Sequence, residues 1–326
     1  MSINNRLINT GGAGVEPVLD GQRQIYFYNS DTYISEDFGA TFNPIPALNG
    51  VGYYGGYISA YGEHIILFKN TEAIISHNAG ATWTSITTSN SNNPDRNYAF
   101  ASLSDDGNYA YIFDTTNGQF RSDDGGATFT LSTTPRRFSN VGLRCDPTGQ
   151  FVYYFNTGSK ELLKSSNFGI SYVAIYIDNN IYAADFNRYV NFAVGSLSGQ
   201  TAGYTFYGNP LDGTKSYFSG SVSRAPQATN GGNASANINY FMTISGVSGS
   251  GFYQSPLNTG TPTNYNVSPN VSAYGTPNSV AMNGSGSRRT ITTATGTYIS
   301  DDYGVTYTSI GDGISAGKVL MNQGDF

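Results

Sequence analysis

Short apolar runs recur along the chain, each bounded by Gly, Asp, Asn, Ser or Pro. YAFASL (98–103) and YAYIF (109–113) are joined by SDDG (104–107). GLRC (142–145) and FVYYF (151–155) are joined by DPTG (146–149). Runs of this length, rich in aromatic and β-branched residues and closed by turn formers, predict strands and tight turns. No segment carries the 3.6-residue apolar period of a helix. The pattern predicts an all-β chain.

Downstream of such pairs lies a turn that repeats without gaps. The copies are SEDFGATF (35–42), SHNAGATW (76–83), SDDGGATF (122–129), SSNFGISY (165–172) and SDDYGVTY (300–307). They share the form S-x-[DN]-x-G-x-[TS]-aromatic. Asp37, Asn78, Asp124, Asn167 and Asp302 can accept bonds from backbone N–H groups just ahead of them. The flanking hydroxyls can do the same. Gly39, Gly80, Gly126, Gly169 and Gly304 supply a positive φ at little cost. Phe42, Trp83, Phe129, Tyr172 and Tyr307 begin the next strand and can bury a large ring against a neighbouring unit. The acidic members are therefore read as structural, and they lack the dense oxygen set that calcium prefers.

Two degenerate copies, 209–217 and 255–265, fill the long interval before the last match. The aromatic ends then fall at 42, 83, 129, 172, 217, 265 and 307. Four strands per unit at a period of 40–50 residues is the signature of propeller blades. The expectation is one domain over 1–326, a seven-bladed β-propeller with four-stranded antiparallel blades. Approximate blades are 13–46, 47–88, 89–134, 135–178, 179–222, 223–270 and 271–314, with 315–326 a possible ring-closing strand. Val15–Leu19 offers an innermost strand for the first blade. Ring closure has two solutions: 318–321 beside the first blade, or 6–8 added to the last.

The repeated turn resembles the Asp box, also called the bacterial neuraminidase repeat, over nearly the whole chain. The resemblance implies a propeller with the boxes between the outer two strands of each blade. It is shared by sialidases, xyloglucan-cleaving glycosidases, sortilin-type receptors and photosystem II assembly propellers, so it does not by itself select a function.

Composition narrows the field. Charged residues are 12% of the chain, against roughly 25% in an average globular domain. Net charge is −6 and no basic cluster exists, which argues against nucleic-acid binding. No apolar stretch is long enough to span a membrane as a helix. The first residues lack the apolar core of a secretory signal. Cys145, the single cysteine, closes an apolar strand and reads as a buried small hydrophobe.

Catalytic constellations are not recognisable. A sialidase-type arginine triad has no counterpart; Arg136 and Arg137 are the nearest approach. Candidate carboxylates for a glycosidase pair are Asp95, Asp105, Asp106, Asp114, Asp178 and Asp185, which sequence cannot place face to face. His64 and His77 lack metal-binding spacing and read as surface turn residues. No catalytic residue, metal or cofactor is assigned.

Loops opposite the boxes are rich in Tyr, Asn, Ser and Gly, which supply rigid amphipathic rings and adaptable hydrogen bonds. Tyr53, Tyr54, Arg96, Arg136, Arg137 and Tyr274 are the candidate contacts to a protein or surface glycan. The expected role is a non-catalytic binding or structural propeller on a virion or cell surface, able to assemble into a larger particle or filament. A carbohydrate-active enzyme and an assembly factor clamping a partner protein are the alternatives.

Overall fold

A computed structural model describes residues 19–88, 97–132, 142–156, 161–177, 181–186, 188–189, 193–197, 205–209, 214–217, 232–234, 240–244, 252–256, 277–310 and 317–324. From 176 to 277, only Phe186, Arg188 and Tyr189 are described beyond the backbone. Apart from a 3-10 turn at Pro46–Leu48, the elements are all strands.

The first sheet holds β1 (Gln24–Tyr28), β2 (Asp31–Ser35) and β3 (Asn43–Pro44). The second holds β4 (Gly55–Ile58), β5 (Ile65–Lys69), β6 (Glu72–Ser76) and β7 (Thr84–Ser85). The third holds β8 (Tyr98–Leu103), β9 (Ala110–Asp114), β10 (Gly118–Ser122) and β11 (Thr130–Leu131). The fourth holds β12 (Leu143–Cys145), β13 (Val152–Asn156), β14 (Glu161–Ser165) and β15 (Val173–Ile177). The fifth holds β16 (Ile181–Phe186), β17 (Ala193–Leu197), β18 (Thr205–Asn209) and β19 (Thr214–Tyr217). The sixth holds β20 (Gly232–Ala234), β21 (Tyr240–Ile244) and β22 (Phe252–Pro256). The seventh holds β23 (Pro277–Met282), β24 (Arg289–Thr293), β25 (Gly296–Ser300) and β26 (Thr308–Ser309). The last strand, β27 (Lys318–Met321), joins the first sheet.

Among the described residues the strands thus form seven sheets, six of four strands and one of three, antiparallel throughout. Strand order within each sheet follows the chain, except that β27 occupies the inner edge beside β1. Its register sets Gln24 opposite Met321 and Phe27 opposite Lys318. Of the two closures open from the sequence, this is the first. The inner place anticipated for Val15–Leu19 is taken by β27, and residues 15–18 lie outside the described residues.

Inner strands of successive sheets touch in the order β27, β4, β8, β12, β16, β20, β23 and back to β27. That order closes on itself. Among the described residues, apolar layers lie between the first four successive sheets and between the seventh and the first. Ile65 and Leu67 of β5 pack with Ile25 and Phe27 of the first sheet. Ile66 and Phe68, on the other face of the same strand, pack with Ala101 and Ile112 of the third. Side chains alternate across a strand, so a strand covered on both faces reads as a continuous apolar run. β9 repeats the pattern, with Ile112 facing the second sheet and Tyr111 and Phe113 the fourth.

Candidate functional site

In all five repeat turns the Ser hydroxyl donates to the Asp or Asn side chain and accepts the Gly amide. For the third copy, Ser122 Oγ lies 2.7 Å from Asp124 Oδ1 and Gly126 N lies 2.8 Å from Ser122 Oγ. Asp124 also accepts the Thr128 amide at 2.9 Å and the Thr128 hydroxyl at 2.6 Å. Asn78 reverses the last bond: its Nδ2 donates to Thr82 Oγ1 at 2.8 Å while Oδ1 still accepts the Thr82 amide. Asn167 does the same with Ser171. Asp and Asn are interchangeable because the hydroxyl opposite them can either donate or accept. The Thr128 hydroxyl and amide hold the Asp124 carboxyl down to about 2 against a smaller opposing effect of burial. For Asp37 and Asp302 burial is the largest single influence and raises the value. The hydrogen bonds from Thr41 and Ser35, and from Thr306 and Ser300, together outweigh it.

The sequence missed the residue before the glycine. Phe38, Ala79, Gly125, Phe168 and Tyr303 also have positive φ, between 57° and 67°. Two consecutive left-handed residues turn this amide back onto the carbonyl two positions before the second strand, counted from the inner edge, of the same sheet. The acceptors are Gln22 O, Glu63 O, Asn108 O, Gln150 O and Ser287 O, at 2.8–3.0 Å. In three copies the carbonyl of the same residue reaches the preceding sheet. Phe38 O accepts from Arg288, Gly125 O from His77 and Phe168 O from Arg121.

The inner turn is a second repeat. Ser59, Ser104, Asp146 and Asn283 each accept, through the side chain, the amide five residues on, at 2.9–3.1 Å. In the first sheet Asn322, just past β27, accepts the Arg23 amide at 2.8 Å in the same way. The Asp20 carboxylate accepts the amides of Gly284, Ser285 and Gly324, tying both ends of the described chain to the seventh sheet.

Two arginines gather near the axis at this end. Arg144, from β12, lies 4.6 Å from the centroid of the Tyr57 ring in the second sheet and donates to Gln323 Oε1 at 2.7 Å beyond the first. A side chain that spans these sheets crosses the ring of inner strands. Its Nε is buried without a hydrogen-bond partner among the described residues. Arg188 is 3% exposed and pairs with Asp105 of the third sheet, beneath the rings of Tyr61 and Tyr189. Burial pushes the Tyr57 hydroxyl up to about 12.

At the opposite end of the inner strands lies Tyr54. Its hydroxyl donates toward Asn70 Oδ1 (2.6 Å) and Tyr98 O (2.9 Å), and its ring stands on Phe68. The Lys318 ammonium lies 5.4 Å from the ring centroid. Burial holds that ammonium below its ordinary value, and it has no ion-pair partner among the described residues.

Tyr53, expected at a contact surface, is 4% exposed. Its hydroxyl donates to Glu72 Oε1 at 2.7 Å, and Lys69 closes the group by pairing with Glu72. An adjacent Tyr-Tyr pair must send its rings in different directions, and here the first ring goes inward. Arg96, Arg136, Arg137 and Tyr274 lie outside the described residues, so only Tyr54 of the six stands at the proposed face with a describable environment. Phe42, Phe129 and Tyr172 are buried and Trp83 is partly so; each directly precedes its short outer strand and does not belong to it.

The candidate carboxylates are engaged. Asp105 pairs with Arg188; Asp106 accepts from Ser104 and Asn108; Asp114 accepts from Asn97, Thr116 and Asn117. Asp95 and Asp178, and the Asp185 side chain, lie outside the description. His64 and His77 are not separate turn residues: their rings meet. Cys145 is buried beside Ser102, and burial pushes its thiol up to about 12. Among the described residues no cluster of metal-ligating side chains occurs, and no helix is long and apolar enough to cross a membrane.

No protein-family model and no curated protein sequence matches the chain. Solved structures do. "YCF48 bound to D1 peptide" superposes with a TM-score of 0.59 at 12% identity, over 83% of this chain and 91% of that one. The GH74 xyloglucanase from Xanthomonas campestris gives 0.61 at 13% identity, over 95% of this chain and 56% of that one. TolB from Acinetobacter baumannii gives 0.53 at 14% identity, over 72% and 61%. These neighbours are β-propellers, binding proteins and a glycoside hydrolase among them, and at such identities the likeness is one of fold: the chain is similar to β-propellers.

Proposed function

We propose that the chain is a seven-bladed propeller of the Asp-box kind and acts as a non-catalytic binding or structural module. Its partner, a protein or surface glycan, meets the face opposite the repeat turns. The observation that carries this reading is the contrast between the two kinds of polar group. Asp105, Asp106 and Asp114 are consumed by turns and an ion pair, whereas Lys318 stands over Tyr54 without a carboxylate partner among the described residues. A ring beside a cation suits the stacking and hydrogen-bonding contacts of a polar partner. The low-charge, Tyr- and Asn-rich composition supports an exposed position on a virion or cell surface.

The test pairs an array of neutral, acidic and xyloglucan-derived glycans with co-purification from the native source. Partner retention is expected to fall at least tenfold in a Tyr54→Ala, Lys318→Ala double variant that keeps its melting temperature. Hydrolysis of an array member, abolished by one Asp→Asn change, would replace this reading with that of a carbohydrate-active enzyme. Recovery from purified virions or cell envelopes tests the location.

A further inference from the structure

The chain has two histidines, 13 positions apart, and the fold brings their rings into edge-on contact. His64 follows the inner turn of the second sheet; His77 lies in that sheet's repeat turn. Their Nδ1 atoms are 2.9 Å apart, with ring centroids 5.0 Å apart and planes at 65°. So short a nitrogen contact requires one proton between the two rings. The tautomer is set from the far side. His77 Nε2 lies 2.6 Å from Gly125 O, an acceptor only, so Nε2 carries the proton. Neutral His77 therefore offers an Nδ1 lone pair, and His64 donates Nδ1–H to it.

The pair sits on a seam. Gly125 belongs to the repeat turn of the third sheet, and the His64 ring is packed on Gly107, in that sheet's inner turn. A Cβ at Gly107 would lie 2.5 Å from His64 Nδ1. The other seams fastened through this same carbonyl use a guanidinium, that of Arg288 on Phe38 and that of Arg121 on Phe168. Only the seam between the second and third sheets is closed by imidazole.

We propose that His64 and His77 form a proton-operated latch on this seam, closed while the two rings hold no more than one added proton and released by the second. The first added proton leaves an imidazolium donating to an imidazole. The second sets N–H against N–H, removes the only acceptor and adds repulsion between two cations. One ring must then leave, and the Gly125 bond or the Gly107 packing goes with it. Burial, the largest influence, holds His64 below its ordinary value, and the neighbouring His77 lowers it further. Glu63 beside it and Asp106 on the third sheet act the other way. Asp123 and Asp124, which precede Gly125, are engaged by Arg121 and by Thr128 with Ser122.

Amide exchange of the whole chain, read as protection factors at pH 7.5 and 5.0, tests the latch. Protection in 104–108 and 122–129 is expected to fall at least tenfold, while 35–42 and 300–307 change less than twofold. In His64→Asn, whose amide can present either a donor or an acceptor to His77, the fall is expected to shrink below twofold. Equal changes at all repeat turns, or an undiminished fall in His64→Asn, would overturn the proposal. The wild-type chain gives a second readout whether or not the variant folds. Its two imidazole C2–H resonances are expected to titrate as a coupled pair, the second step coinciding with lost protection. Two independent titrations near the unperturbed value of about 6.5 would overturn it as well.

Discussion

Ala79 and Gly80 carry nearly the same backbone conformation, with φ of 61° and 86°, yet only one of them is a glycine. An L-residue in the left-handed region costs roughly 1–2 kcal/mol. Ala79→Gly relieves that strain but adds freedom to the unfolded chain, so a gain of up to about 1 kcal/mol is expected. Gly80→Ala is expected to cost about 1–2 kcal/mol. Paired urea titrations of the two variants check both signs. The Asp-to-Asn interchange gives a further pair. Asp124→Asn keeps the bonds that Asn78 already makes but loses the charge that strengthens them, so it is expected to cost less than Asp124→Ala, which loses three acceptor contacts and is expected to cost about 1–2 kcal/mol. These turns were legible in the sequence because every bond is local and every position is filled by a residue type chosen for it. The left-handed residue before each glycine was not, since Phe, Ala, Gly, Phe and Tyr share no chemistry; what they share is the direction in which their amide must point.

At the level of turns and strands, the repeat turns and the inner turns act together: one fixes the outer hairpin, the other the inner, and the left-handed amide joins them. The inner turns were legible at 104–107 and 146–149, but the cap they share was not, because Ser, Asp and Asn alternate in it and the capped amide lies five residues away. The burial of Tyr53 was hidden for a related reason, its acceptor being 19 residues downstream on β6. The contacts across the axis were hidden more completely, as Arg144 and Gln323 are 179 residues apart. The turn carboxylates also set the acid response. Asp124 titrates at about 2 when folded, below an ordinary value of about 3.9, so the folded form binds its proton less readily than the unfolded chain. That stabilisation is complete above about pH 4 and is lost as pH falls toward 2; Asp37 and Asp302 add to it in the same direction. Asp20 opposes them, because burial raises its value and its charged form is the less favoured one in the folded chain. Melting temperatures between pH 5 and 2 are expected to fall, and to fall less steeply in Asp124→Asn. An unchanged slope would place the acid response elsewhere.

For the molecule as a whole, a sheet such as the second buries both faces because it has a neighbour on either side, and the first and seventh sheets meet through β27. Tyr26 and Phe42 of the first sheet pack with Ala281 of the seventh and with Val319 and Met321 of β27. Asn322 then completes the inner turn of the first sheet through a bond to a residue 299 positions away. The most direct test is a disulfide across that closure. Ile25 and Leu320 are register partners in the β1–β27 pair, and antiparallel partners lie within disulfide range. Ile25→Cys with Leu320→Cys, in a Cys145→Ser background, is expected to oxidise within a single chain. Relative to its own reduced form, the oxidised variant is expected to be more stable by about 3–5 kcal/mol, the order expected for so long a closed loop. Failure to form that bond, or formation only between chains, would contradict a ring closed by the C-terminal strand.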